Sequence, residues 1–183
     1  MSLTVKHLEQ VQAKLGTDYR IELVKGNISV MSPSGYESDE VASEFSALLR
    51  NWVRPRKLGR ITGAGAGFNL PSSDTRAPDV SFVLAARLRK SPRTFAELAP
   101  DLMVEVKSPS DSLTALRDKI DDFLSQGTRV GILIHPEQRW LEVRRSDAEP
   151  MTLRDGEILT VPDLLPGWEV QIEDLWSPEF DEE

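Results

Sequence analysis

Residues 101–110 read Asp-Leu-Met-Val-Glu-Val-Lys-Ser-Pro-Ser. As a strand this stretch alternates: Leu102, Val104 and Val106 point one way, and Met103, Glu105 and Lys107 the other. At about 3.3 Å per residue, Glu105 and Lys107 stand about 7 Å apart on one face. The flanking apolar residues mark a buried central strand, where an acid and a base need a reason to be. One reading is a partly buried ion pair at a strand end. The other is a catalytic pair.

The surrounding chain narrows the choice. At 183 residues it is long enough for one domain, 1–183, with a sizeable core. Its 39% hydrophobic and 28% charged residues exclude a disordered chain. It holds no apolar run of membrane-spanning length, and its first residues lack the apolar core of a signal peptide, so the expectation is a cytoplasmic protein with no membrane partner. Cysteine is absent and His7 and His135 are the only histidines, which argues against disulfides, thiolate metal sites and zinc. Any metal is therefore expected to be hard and oxygen-bound, Mg²⁺ or Mn²⁺. A net charge of −8 argues against a general nucleic-acid coat protein. Yet residues 50–60 (Arg50, Arg54, Arg56, Lys57, Arg60) and 87–93 (Arg87, Arg89, Lys90, Arg93) carry only basic charges, and Arg76 precedes a strand. These segments are either solvated surface or a phosphate-binding rim.

Periodicity predicts helices over 4–15, 37–53 and 112–126, and a hairpin over 19–31 with a Lys25-Gly26-Asn27 turn. Strands are predicted at 78–84 and 130–134, with antiparallel strands at 139–145 and 150–161 about an Asp155-Gly156 turn. Residues 168–172 and a short helix to Trp176 follow. Gly63, Gly65 and Gly67 suggest a bare strand face rather than a dinucleotide loop, because no helix opens after them. Glu44 lies at the edge of the apolar stripe of the second helix, within reach of a site beneath it.

Asp79 at one strand entry and Glu105 with Lys107 on the next make a set suited to phosphodiester hydrolysis. Two carboxylates can hold a divalent cation, and a lysine can orient water or neutralise the transition state. Pro78-Asp79 with Glu105-Val106-Lys107 resembles the PD-(D/E)XK nuclease signature. The wider set of Arg20-Ile-Glu22-Leu-Val-Lys-Gly26, Met31-Ser-Pro33, Pro100-Asp-Leu102, Glu105 to Ser110, and Lys119 with Gly127 resembles the Uma-two (Uma2) family of restriction endonucleases. The resemblance implies an α/β (α+β) restriction-endonuclease-like fold, a mixed sheet flanked by helices with extra antiparallel hairpins. It implies a metal held by Asp79, Glu105 and the Val106 carbonyl, with Lys107 catalytic and Glu22, Glu44 and Lys119 as further polar candidates. It also implies nucleic acid, DNA first, as partner, with Arg54, Arg56, Lys57, Arg76, Arg89 and Lys90 as candidate contacts. Cutting both strands would call for a homodimer. The alternative is a non-catalytic nucleic-acid- or protein-binding module of the same fold.

Overall fold

The computed structural model describes residues 3–16, 19–31 and 33–180; Ser32 of the expected chain break and the last three acidic-tail residues lie outside them. A six-stranded sheet forms the centre, in the order β10-β9-β8-β7-β6-β3. Its strands are β3 (Gly59–Gly63), β6 (Val80–Leu84), β7 (Leu102–Val106), β8 (Val130–His135), β9 (Trp140–Arg145) and β10 (Ala148–Arg154). Only β7 and β8 pair in parallel, joined by helix α3 (Leu113–Ser125); the other neighbours are antiparallel. This is the mixed sheet flanked by helices that the sequence leads one to expect.

Alternation along β6 and β7 sorts the core. Val80, Phe82, Leu102, Val104 and Val106 pack with Val41, Phe45, Leu49 and Val53 of helix α2 (Tyr36–Arg56). Val83, Met103 and Leu133 face the other way, onto Ile120, Phe123 and Leu124 of α3. Helix α2 runs past its expected end at 53. Pro55 falls in its last turn, and Lys57 closes it in the left-handed region at φ 55°.

Helix α3 lies close on β8 because residue 131 is glycine. A Cβ there would stand 2.2 Å from Ile120 Cγ2. Ile is stiff at χ1, so the clash cannot be relieved by a simple swing. Gly131→Ala is expected to cost about 1–3 kcal/mol through overpacking, read by urea denaturation. The helix is also tied to β9, where buried Glu142 accepts from Arg117 (2.9 Å) and Arg144 (2.6 Å).

A second sheet, in the order β2-β1-β5-β4, comprises β1 (Arg20–Val24), β2 (Asn27–Met31), β4 (Phe68–Asn69) and β5 (Thr75–Arg76). The hairpin turn is Lys25-Gly26 alone, with φ of 49° and 75°, the two-residue turn whose twist suits antiparallel strands. Helix α1 (Val5–Leu15) precedes it. The expected antiparallel strands are found as β9 (Trp140–Arg145) and β10 (Ala148–Arg154), and the chain does turn at Asp155-Gly156, but the strand after that turn does not fold back on β10. β10 pairs with β9 across residues 146–147, while β11 (Ile158–Thr160) pairs with β12 (Glu169–Gln171). Leu159 and Val170 close the α2 side of the core, which local alternation could not reveal. The short helix before Trp176 is a 3₁₀ turn, Ile172–Leu175. Among the described residues no helix is long and apolar enough to cross a membrane.

Candidate active site

The register of β6 against β7 pairs Val80 with Val104 and Ser81 with Met103. One step further, Asp79 stands opposite Glu105. The Asp79 N–H donates to the Val104 carbonyl (3.0 Å), and the Val106 N–H donates to Asp79 Oδ2 (2.8 Å). The alternation that sends Val80 and Val104 into the α2 core turns both carboxylates toward α3. From α3, Lys119 shares the buried stripe of Ile120 and Phe123. Its Nζ lies 2.9 Å from Glu105 Oε1 and 3.5 Å from Glu22 Oε1, and donates to the Ala77 carbonyl (3.0 Å). Glu22 arrives on β1, where its Oε1 also accepts the Ala77 N–H (2.8 Å). Glu22, Glu105 and Lys119 are 6%, 3% and 8% exposed. Asp79, Glu105, Glu22, Lys119, Arg20 and Asp111 are among the residues lining a cavity of about 460 Å³.

The electrostatics follow from three carboxylates sharing one ammonium. Burial raises the Glu105 carboxyl to about 8; Lys119 works against this, and the charges of Asp79 and Glu22 add to it. Burial also raises Asp79, more than the Val106 hydrogen bond, Lys119 and Arg20 lower it. Burial disfavours the Lys119 ammonium, but Glu105 and Glu22 outweigh it and hold the group above the ordinary lysine range. Between the ordinary 4.5 and about 8, the unfolded chain has released a proton that folded Glu105 keeps. Stability is therefore expected to fall as pH rises through that window. Glu105→Gln should flatten this slope, as read by thermal melting of metal-free protein from pH 5 to 8.

The structure separates the other candidates. Lys107 lies past the end of β7. Its Nζ turns onto the Ser108 carbonyl (2.9 Å), and the residue does not line the cavity. The Lys107 N–H still donates to the Ile134 carbonyl of β8 (2.8 Å), so it is the ammonium, not the backbone, that turns away from Glu105. Val106 does line the cavity. Glu44 is exposed on α2 beside Glu40 and Asp174, on a face of the helix turned away from Asp79, and does not reach it. Arg76 is buried against Glu22 (3.6 Å) and Asp122 (3.1 Å) and is among the residues lining the same cavity as Asp79 and Glu105. Arg56 stacks on Trp52, 3.4 Å from its ring centroid. Lys57, Arg89 and Lys90 are exposed, and Arg54 lines a separate cavity. Arg20 was not singled out from sequence, although it shares a strand face with Glu22 at period two.

The donor set suits only a hard cation. Glu105 Oε1 is buried and, despite the nearby ammonium, has no partner in hydrogen-bond geometry. Among the described residues no three His, Cys, Asp or Glu side chains converge as a cage. Two carboxylates fit Mg²⁺ or Mn²⁺, since Mg²⁺ keeps several waters and needs one or two carboxylates together with substrate phosphate.

Comparison with known proteins follows this geometry. No curated protein sequence matches the chain. A crystal structure of a "putative nuclease belonging to DUF820" from Anabaena variabilis shares the fold, with TM-score 0.80 and 24% identity over 94% of this chain and 97% of that one. A DrdV–DNA complex solved by cryoEM aligns at TM-score 0.41 and 16% identity, over 81% of this chain and 11% of that one. Residues 5–173 match the Uma2 family profile, described as "Putative restriction endonuclease". That span takes in β1, the paired strands β6 and β7, and α3, and the chain belongs to the Uma2 family.

Proposed function

We propose that this chain is a Mg²⁺- or Mn²⁺-dependent endonuclease that hydrolyses phosphodiester bonds of DNA. The observation that carries the reading is the placing of the Asp79 and Glu105 carboxylates opposite each other in one cavity, with a buried ammonium between Glu105 and Glu22. Membership of the Uma2 family supports it.

Asp79 and Glu105 would hold the cation, with the Val106 carbonyl close by. Bound there, the cation would acidify a water and balance charge developing on the scissile phosphate. The chain's own groups divide the remaining work. Lys119, rather than Lys107, presents its ammonium to the cavity, where it can orient a water against Glu105 and offset phosphate charge. Glu22 and the Ala77 carbonyl fix that ammonium in place. Arg20 adds a second positive charge beside Asp79. Cutting both strands of a duplex takes two such cavities, so the reading includes a homodimer, checked by light scattering.

The test is calorimetry with Mg²⁺ and Mn²⁺ on wild type, Asp79→Ala and Glu105→Ala, paired with plasmid cleavage with and without EDTA. Metal-dependent cleavage that both variants lose supports the proposal. A second reading, a non-catalytic nucleic-acid- or protein-binding module, is favoured by the 2.9 Å contact that puts Lys119 on Glu105 where a cation would otherwise sit. DNA binding that survives both substitutions, with no cleavage in either metal, selects that reading.

A further inference from the structure

A cavity of about 530 Å³ opens where the β3 edge, α2 and residues 88–96 meet. We propose that it receives one unstacked nucleotide of a single-stranded DNA segment, its base on the apolar floor and its phosphate on Arg50, Arg54 and Arg93. The identity of the strand rests on the nuclease reading; the chemistry of the pocket does not.

The floor is apolar, with Phe68, Val83, Leu88 and Phe95 among its residues. At the rim, Arg50, Arg54 and Arg93 are exposed, and among the described residues none has a carboxylate within salt-bridge distance. Arg87 of the same basic run is instead held by buried Asp101 at 2.9 Å. The wall is built rather than loose. The Arg60 guanidinium donates to the Leu88 carbonyl (2.8 Å), Ser91 Oγ (2.8 Å) and the Arg89 carbonyl (2.7 Å), pinning that loop to β3. The Phe95 ring packs where a Cβ on Gly67 would lie 2.5 Å away, so the glycine admits the aromatic wall. An apolar, aromatic recess with unpaired guanidinium groups at its mouth matches a ligand that has a planar ring and an anionic group. Its volume is within the ordinary range of ligand clefts, about 300–1,000 Å³. A base held in a duplex stack cannot enter such a recess, so the nucleotide comes from an unpaired segment or, on duplex DNA, is turned out of the stack.

Position supports the same strand serving both cavities. Ser81 and Val83 line this one, and they share a face of β6 with Asp79, about 7 and 13 Å along the strand at about 3.3 Å per residue. A shallow groove lined by Asp79, Asn51, Gly63 and Arg50 joins the two.

The experiment uses a 12-nucleotide single-stranded DNA carrying 2-aminopurine, titrated in EDTA so that nothing is cut. Wild type should bind with a fluorescence change, and dAMP should compete while inorganic phosphate at equal concentration does not. Arg54→Ala/Arg93→Ala and, independently, Gly65→Phe should each weaken binding about tenfold and remove the fluorescence change. Gly65 lines the cavity and a Cβ on it meets nothing within 4 Å, so a side chain can be added there to occupy the recess. Failure of wild type to bind, wild-type affinity in both variants, or equal competition by phosphate overturns the proposal. Binding that the variants lose, in a protein that never cleaves in Mg²⁺, sinks the nuclease reading and leaves this pocket standing. Cleavage in Mg²⁺ with unaffected variants does the reverse.

Discussion

Glu105→Gln and Asp79→Asn are each expected to lower plasmid cleavage in Mg²⁺ by about 10³-fold, the scale lost when a charge-stabilising group is removed from a reacting centre. The amides are the sharper choice over alanine. Asp79 Oδ2 accepts the Val106 N–H at 2.8 Å, and asparagine can keep that bond through its carbonyl oxygen. Alanine at 105 would open a hole beside buried Lys119, whereas glutamine preserves volume and removes the carboxyl whose ionisation burial opposes. The two amide variants should therefore melt no lower than wild type at pH 8 while losing metal binding and cleavage together. Initial rates and melting temperatures on one preparation decide it. Cleavage within tenfold of wild type in both folded variants would remove these carboxylates from the chemistry.

The second large effect separates two lysines. Lys119→Met removes the ammonium that touches both Glu105 and Glu22, leaving buried Glu105 without a counter-charge among the described residues and Glu22 with Arg76 alone. Breaking one side of such a buried set costs about 3–5 kcal/mol. Cleavage should also fall at least about a hundredfold. Lys107→Met removes only a contact to the neighbouring Ser108 carbonyl and should change stability by less than about 0.5 kcal/mol and cleavage by less than about threefold. Stability and chemistry are disentangled by Lys119→Met/Glu22→Gln. The second change lowers the uncompensated charge, so urea unfolding should recover part of the loss while cleavage does not. A severe defect in Lys107→Met beside near-normal cleavage in Lys119→Met would mean that the Glu-x-Lys spacing, and not the cavity, identifies the working lysine.

Much of the site was legible because β-structure has a period of two. Alternation in 78–84 and 101–107 sets which side chains turn away from the apolar face, and this already placed Asp79 and Glu105 on equivalent sides of two core strands. Composition bounds the chemistry of any cation proposed here, since a chain without cysteine and with two histidines can offer it little but oxygen. Local pattern does not place the far end of a long side chain. Lys107 still pairs with β8 through its N–H, but its long side chain swings its ammonium onto the Ser108 carbonyl rather than toward Glu105. Which lysine meets Glu105 depends on how closely α3 sits on β8, and that is decided by Gly131 beneath Ile120. The face of α2 that carries Glu44 turns toward Asp174 and Trp176, away from Asp79, and the packing of β1 against β5 buries Arg76 against Glu22. A residue's direction follows from its own backbone period. Its partners follow from which faces lie together, and that is a property of the packed chain.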